Sequence, residues 1–248
     1  MRDVLVLCYH AVSERWPSEL AVSPGLLDEQ ITALERRGYR AATFTQAVTD
    51  PPWRRTLAIT FDDAYRSTLD LAAPVLARHG APGTVYAPTD WVGREEPMSW
   101  PGIEEWSDGP HRDELLCLTW DGLGQLAEQG WEVGSHTRSH PRLPQVVDDA
   151  ELRGELAGSR ELLVERLGRC DSIAYPYGNY DERVVREACA AGYRAAGTLT
   201  GLPHAAAPLS WPRVGIYPGN RPLFLRLKTS PALRAVAVAA GRLRTRSH

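Results

Sequence analysis

A parallel α/β fold, a distorted (β/α) barrel, is what this sequence predicts. Short apolar runs rich in β-branched and aromatic residues alternate with longer segments of helical period. The alternation continues along a chain of 248 residues, a length that suits such a barrel. The residues fit for metal or acid–base chemistry follow directly after the apolar runs. In a parallel barrel those places, the C-terminal ends of the strands, face the active site.

The first strand is predicted at residues 4–9, from the run Val4-Leu5-Val6-Leu7-Cys8. This run is too short and wrongly flanked for an export signal, so a cytoplasmic location is expected. Further strands are predicted at 41–43, 57–61, 83–87, 131–134, 172–175, 194–197 and 213–216, and helices at 25–37, 65–79, 119–129, 148–168, 181–190 and 222–242. The helix at 148–168 has Leu152, Leu156, Leu163 and Leu167 on one face, Asp148 or Asp149 to cap its start, and Gly168 where a C′ residue belongs. Residues 88–118 follow neither period. They contain Trp91, Trp100 and Trp106, and are read as an insertion rimming a site. Nothing marks a boundary, so 1–248 is expected to be one domain, with 219–248 a helical tail on its exterior.

The net charge of −3 gives no electrostatic reason to expect nucleic-acid binding, and no apolar run reaches the ~18 residues of a membrane span. Cys8, Cys117, Cys170 and Cys189 form no CxxC pair and are read as reduced thiols. Oligomeric state is left open.

Three segments carry chemistry. Asp62-Asp63 ends the predicted strand at 57–61, and paired carboxylates there are costly to desolvate without a compensating cation or proton. His136-Thr137-Arg138-Ser139-His140 follows the strand at 131–134, and histidines at i and i+4 on a helical turn can reach one metal ion. Together these supply two nitrogens and a carboxylate, the usual protein ligands of a hydrolytic Zn²⁺ site, with one carboxylate left over as a base. Tyr175-Pro176-Tyr177-Gly178 begins on the last residue of the strand at 172–175. Its Pro and Gly favour a sharp turn whose N–H groups can point into the barrel mouth.

In order and spacing these motifs resemble the polysaccharide deacetylases, the chitooligosaccharide-deacetylase-like group also called carbohydrate esterase family four. Thr60–Asp63 is similar to the first motif of that family, His136–His140 to the second and Tyr175–Gly178 to the third. Tyr9-His10 is similar to the early motif of the bacterial exopolysaccharide deacetylases. The resemblance spans about residues 4–216 and implies removal of an N- or O-acyl group, typically acetate from an N-acetylated sugar. It assigns Asp63, His136 and His140 to a divalent metal, with Zn expected and Co, Ni or Fe suited to the same ligands. It makes Asp62 the base, and the backbone N–H of Tyr177, after Pro176, an oxyanion donor.

Three departures from the family pattern stand out. Ala64 replaces the usual Gly after the paired aspartates. Ala174 stands where an arginine usually orients the base, and Arg213 is the candidate substitute. The late Leu-x-x-His motif that supplies the acid is missing, leaving His10 as the favoured acid and His204 as the alternative. Two other readings remain open: hydrolysis of a non-sugar amide or imide, and an inactive carbohydrate-binding barrel.

Overall fold

The structure, a computed structural model, describes residues 2–199 and 207–230. The strands are β1 (Asp3–Tyr9), β2 (Ala11–Val12), β3 (Ala21–Val22), β4 (Arg40–Ala41), β5 (Arg55–Phe61), β6 (Thr84–Ala87), β7 (Glu132–Ser135), β8 (Ser172–Ala174), β9 (Ala195–Thr198), β10 (Trp211–Pro212) and β11 (Val214–Gly215). The helices are α1 (Pro24–Glu35), α2 (Phe44–Thr49), α3 (Ala73–Arg78), α4 (Trp120–Glu128), α5 (Asp149–Arg153), α6 (Ser159–Leu167), α7 (Glu182–Ala190) and α8 (Pro222–Lys228).

Nine of these strands form one parallel sheet in the order β10-β9-β8-β7-β6-β5-β1-β11, with β4 also paired to β5. The two ends of that order are neighbours in sequence. Trp211 and Pro212 pair with β9, Val214 and Gly215 pair with β1, and Arg213 lies between. One short stretch of chain therefore touches both sheet edges and nearly closes the barrel.

Burial on both faces explains the continuous apolar strands. In β1, Leu5, Leu7 and Tyr9 join the large core beneath the helices, while Val6 joins a smaller cluster with Ala58, Tyr86, Ala174 and Ala195 inside the barrel. Phe44, Ala47 and Val48 of α2 belong to that inner cluster, and α2 packs against β1, β5 and β9. It plugs the bottom of the barrel, where the Phe44 N–H donates to Thr84 Oγ1 at 2.9 Å. The lumen is narrow. A Cβ on Gly134 would meet the Tyr86 ring at 2.6 Å, and one on Gly197 would meet Arg213 Nε at 2.6 Å.

The helix predicted at 65–79 contains a π-helical turn at Thr68–Ala72 before α3. Pro74 has no N–H for the carbonyl four residues back, and a local change of helical hydrogen bonding accommodates it. The helix at 148–168 starts on Asp148, which accepts from the Ala150 and Glu151 N–H groups, and ends on left-handed Gly168; a π-turn at Gly154–Gly158 divides it. The tail helix predicted to reach residue 242 ends at Lys228, with Thr229 outside helical geometry. Residues 231–248 and His204 lie outside the described residues.

Candidate active site

β5 delivers Asp62 and Asp63 to the C-terminal mouth of the barrel, and the Asp62 N–H donates to Tyr9 O at 2.9 Å. The chain then turns sharply, with φ of 66° at Asp63 and 50° at Ala64. The second is the place where the related pattern has glycine, so Ala64 carries left-handed strain of roughly 1–2 kcal/mol. Its methyl group is fully buried in the core, which offsets about 0.8 kcal/mol of that cost.

The two histidines do not share a helical turn, as their spacing predicts. The 136–140 segment is a loop with left-handed backbone at Thr137 (φ 67°) and His140 (φ 69°). Side chains fold it in place of a helix. Ser135 Oγ accepts from the Thr137 N–H at 3.0 Å, and Thr137 Oγ1 accepts from the His140 N–H at 3.1 Å. Glu155, on the helical segment after α5, accepts from the N–H groups of Arg138 and Ser139, each at 2.9 Å, and from Ser139 Oγ at 2.6 Å. Sequence reading missed Glu155. Its signal was a carboxylate between Leu152 and Leu156, on the face of the helix that is otherwise apolar.

Pro176–Asn179 form a tight turn with positive φ at both central residues, Tyr177 (58°) and Gly178 (68°), closed by the Asn179 N–H on Pro176 O at 3.0 Å. Gly178 is required there: a Cβ would meet the backbone N of Leu199 at 2.4 Å. The turn's hydrogen bonds come from the N–H groups of Gly178 and Asn179, so that of Tyr177 lies ahead of them.

Arg213 reaches Asp62 from the seam of the barrel. Its Nη1 donates to Oδ1 at 2.6 Å and its Nη2 to Oδ2 at 2.8 Å, with a further bond to Thr60 Oγ1 at 3.1 Å. Ala174 pairs in register with Gly197, and the missing side chain of Gly197 leaves room for the Arg213 side chain. Cys8 also contacts the site, its thiol donating to Asp62 Oδ2 at 3.3 Å, a contact the apolar run around it did not reveal. Potential ligand atoms of Cys8, His10 and Asp62 lie within 4.8 Å of one another. Asp62 is already engaged on both oxygens by Arg213, so this group is better suited to proton transfer than to holding an ion. His10 is partly exposed, and its Nδ1 is buried without a hydrogen-bond partner among the described residues.

Asp63, His136 and His140 bring one ligand atom each within 4.8 Å of one another. Asp63 Oδ1 lies 3.3 Å from His136 Nε2 and 3.4 Å from His140 Nε2, and is buried without a hydrogen-bond partner among the described residues. His136 Nδ1–H donates to Ala174 O at 2.8 Å, which leaves Nε2 unprotonated in the neutral ring. One buried carboxylate oxygen and two aimed imidazole nitrogens fit a divalent cation with a position open for another ligand.

Burial pushes the Asp62 carboxyl toward protonation, but the Arg213 charge, helped by His136, holds its pKa well below the usual range. Burial opposes charge on Asp63 too, and His136 and His140 outweigh it and lower its pKa. Burial is also the largest influence on His136; the charges of Asp62 and Asp63 overcome it and raise the pKa. At His140 burial wins, and the pKa is pushed down to about 3, so the ring is neutral.

The family profile for polysaccharide deacetylase matches residues 49–196. Over 195 residues the chain is 24% identical to YxkH of Bacillus subtilis (strain 168), a protein assigned to the polysaccharide deacetylases; the match covers 76% of this chain and 62% of that one. The chain thus spans about three fifths of the length of this curated relative. Among solved structures, the Streptococcus pyogenes deacetylase PplD in complex with acetate superposes with a TM-score of 0.75 at 24% identity, covering 92% of this chain and 98% of that one. The polysaccharide deacetylase BC0361 from Bacillus cereus gives 0.73 at 25%, covering 92% and 69%. IcaB from Ammonifex degensii gives 0.74 at 22%, covering 92% and 97%. The matched segment holds Asp62, Asp63, His136, His140 and the Tyr177 turn in order at the strand ends, and the chain belongs to the polysaccharide deacetylase family.

Proposed function

We propose that this protein is a metal-dependent hydrolase that removes an N-acetyl group from an N-acetylated sugar or glycoconjugate. The observation that carries the reading is the buried Asp63 oxygen within 3.4 Å of two imidazole nitrogens, beside a second carboxylate kept ionised by Arg213. Asp63, His136 and His140 would hold the ion, Zn by preference, with Co, Ni or Fe suited to the same donors. When bound, such an ion polarises the acyl carbonyl and acidifies water.

The remaining work falls to the chain. An Asp62 oxygen takes the proton of the attacking water. The Tyr177 N–H donates to the oxygen that gains charge as the acyl carbon becomes tetrahedral. His10 donates a proton to the departing amine nitrogen, so the product leaves as a neutral amine. Pro176 fixes the entry to the turn that presents Tyr177. Among the described residues no helix is long and apolar enough to cross a membrane. A reducing, cytoplasmic compartment is part of this proposal, because Cys189 carries an exposed free thiol.

The test is acetate release from a panel of N-acetylhexosamine conjugates by chelated protein, with and without added Zn²⁺ or Co²⁺. Release restored by metal is the expected result. No release from protein holding one ion would move the assignment to non-sugar amides or imides. No release and no bound ion would leave a carbohydrate-binding barrel.

A further inference from the structure

We propose that Trp100, on the 88–118 segment, is a positioning residue for the imidazole of His140. The inference rests on the metal reading above and adds a part to it. The two metal-facing rings are held by different means. His136 is oriented by its Nδ1–H bond to Ala174 O at 2.8 Å. His140 Nδ1 is buried with no hydrogen-bond partner among the described residues. The χ2 torsion of histidine is broad, so without such a bond only packing sets the rotation of the ring.

That packing comes chiefly from one residue. The Trp100 indole stacks on His140 with ring centroids 4.1 Å apart and planes at 22°. His136 and Tyr177 meet the same ring only by their edges, each at 4.8 Å. A stacked plane resists rotation of the imidazole out of its own plane, the motion that would swing Nε2 away from Asp63 Oδ1. Trp91 in turn braces Trp100, at 5.8 Å and 75°.

The segment carrying Trp100 is also tied to both ligand loops. The Thr89 and Asp90 N–H groups donate to the carbonyls of Thr137 and Arg138, at 3.1 and 2.9 Å, and the Leu118 N–H donates to Ala64 O at 2.8 Å. The aromatic platform and the ligand it supports are therefore parts of one hydrogen-bonded unit.

The test uses Co²⁺ as probe, with affinity from equilibrium dialysis and geometry from its visible absorption band, on the full chain and without any substrate. Trp100→Leu keeps apolar bulk and removes the ring, and Trp100→Phe keeps a ring that can stack. Leu is expected to weaken Co²⁺ binding by about tenfold or more and to change the band, while Phe stays close to the parent protein. If Leu does not fold by circular dichroism, Trp100→Met is judged by the same criteria. Parent-like affinity and band in the ringless variant would overturn the inference, and so would an equal loss in Phe. A parent protein that binds no Co²⁺ would overturn the metal site itself, and this inference with it.

Discussion

Arg213 and Asp62 form a two-pronged ion pair, 2.6 and 2.8 Å long, between residues 151 positions apart in the chain. The pair is fully buried, and it decides the charge of the candidate base. Burial raises the pKa of that carboxyl, and the guanidinium charge, helped by His136, more than offsets it. Arg213→Met is therefore expected to raise the Asp62 pKa, so the acidic limb of the pH–rate profile moves to higher pH. Arg213→Lys should move it less, since it keeps the charge but not the fork. Leaving Asp62 unpaired should also cost roughly 3–5 kcal/mol in denaturant unfolding. An acidic limb that stays in place in Arg213→Met would refute the pairing's role.

Asp62→Asn separates catalysis from metal retention. Turnover is expected to fall about 10²–10⁴-fold while the protein keeps its ion, because a base is lost and no ligand. Asp63→Ala, His136→Ala and His140→Ala should each lose the ion. Elemental analysis beside the acetate assay reads both, and full activity in Asp62→Asn would place the base elsewhere.

His10→Ala tests the acid through the leaving group. An amine needs a proton as it departs, whereas a nitrophenolate does not. The variant is expected to lose amide hydrolysis and to retain cleavage of an activated aryl acetate. Equal loss on both substrates would assign His10 a different task.

Gly197→Ala reaches the same ion pair indirectly. Its new methyl group would lie 2.6 Å from Arg213 Nε and displace the guanidinium from Asp62. The pH–rate profile should shift in the direction expected for Arg213→Met, by a smaller amount. A profile identical to the parent's would mean that the arginine finds another path to Asp62.

Ala64→Gly is expected to be nearly silent. Relief of left-handed strain is opposed by the lost methyl burial and by the freer unfolded chain, so unfolding free energy should change by no more than about 1 kcal/mol. A larger loss in urea unfolding would show that the methyl packs more tightly than this balance assumes.

Particular residues show how much the sequence revealed. β1 and β5 were legible because both faces are buried and the apolar run is unbroken. The acidic pair and the two histidines are legible because each follows a strand, although the loop that joins the histidines is not the helical turn that their spacing predicts. Its shape is set by Ser135, Thr137 and Glu155, and hydrogen bonds of that kind leave no periodic trace. α2 is too short for periodicity, yet Thr43 and Gln46 stand at capping-box spacing, and the Thr43 N–H does bond Gln46 Oε1, at 3.4 Å. β2 and β3, two residues each, carry no pattern at all. Arg213 could be suggested only as a substitute, because its partner is fixed by closure of the barrel.

The seam at Arg213 also orders the birth of the site. The proposed metal ligands Asp63, His136 and His140 lie within residues 63–140, while the arginine that pairs with Asp62 follows more than seventy positions later. On the ribosome the ligand loops emerge first, and a chain that has not yet reached residue 213 holds Asp62 in a half-built barrel without the guanidinium, the largest of the charges that lower its pKa. On the proposed function, the candidate base thus gains its arginine partner only when the last strands join the two edges of the sheet.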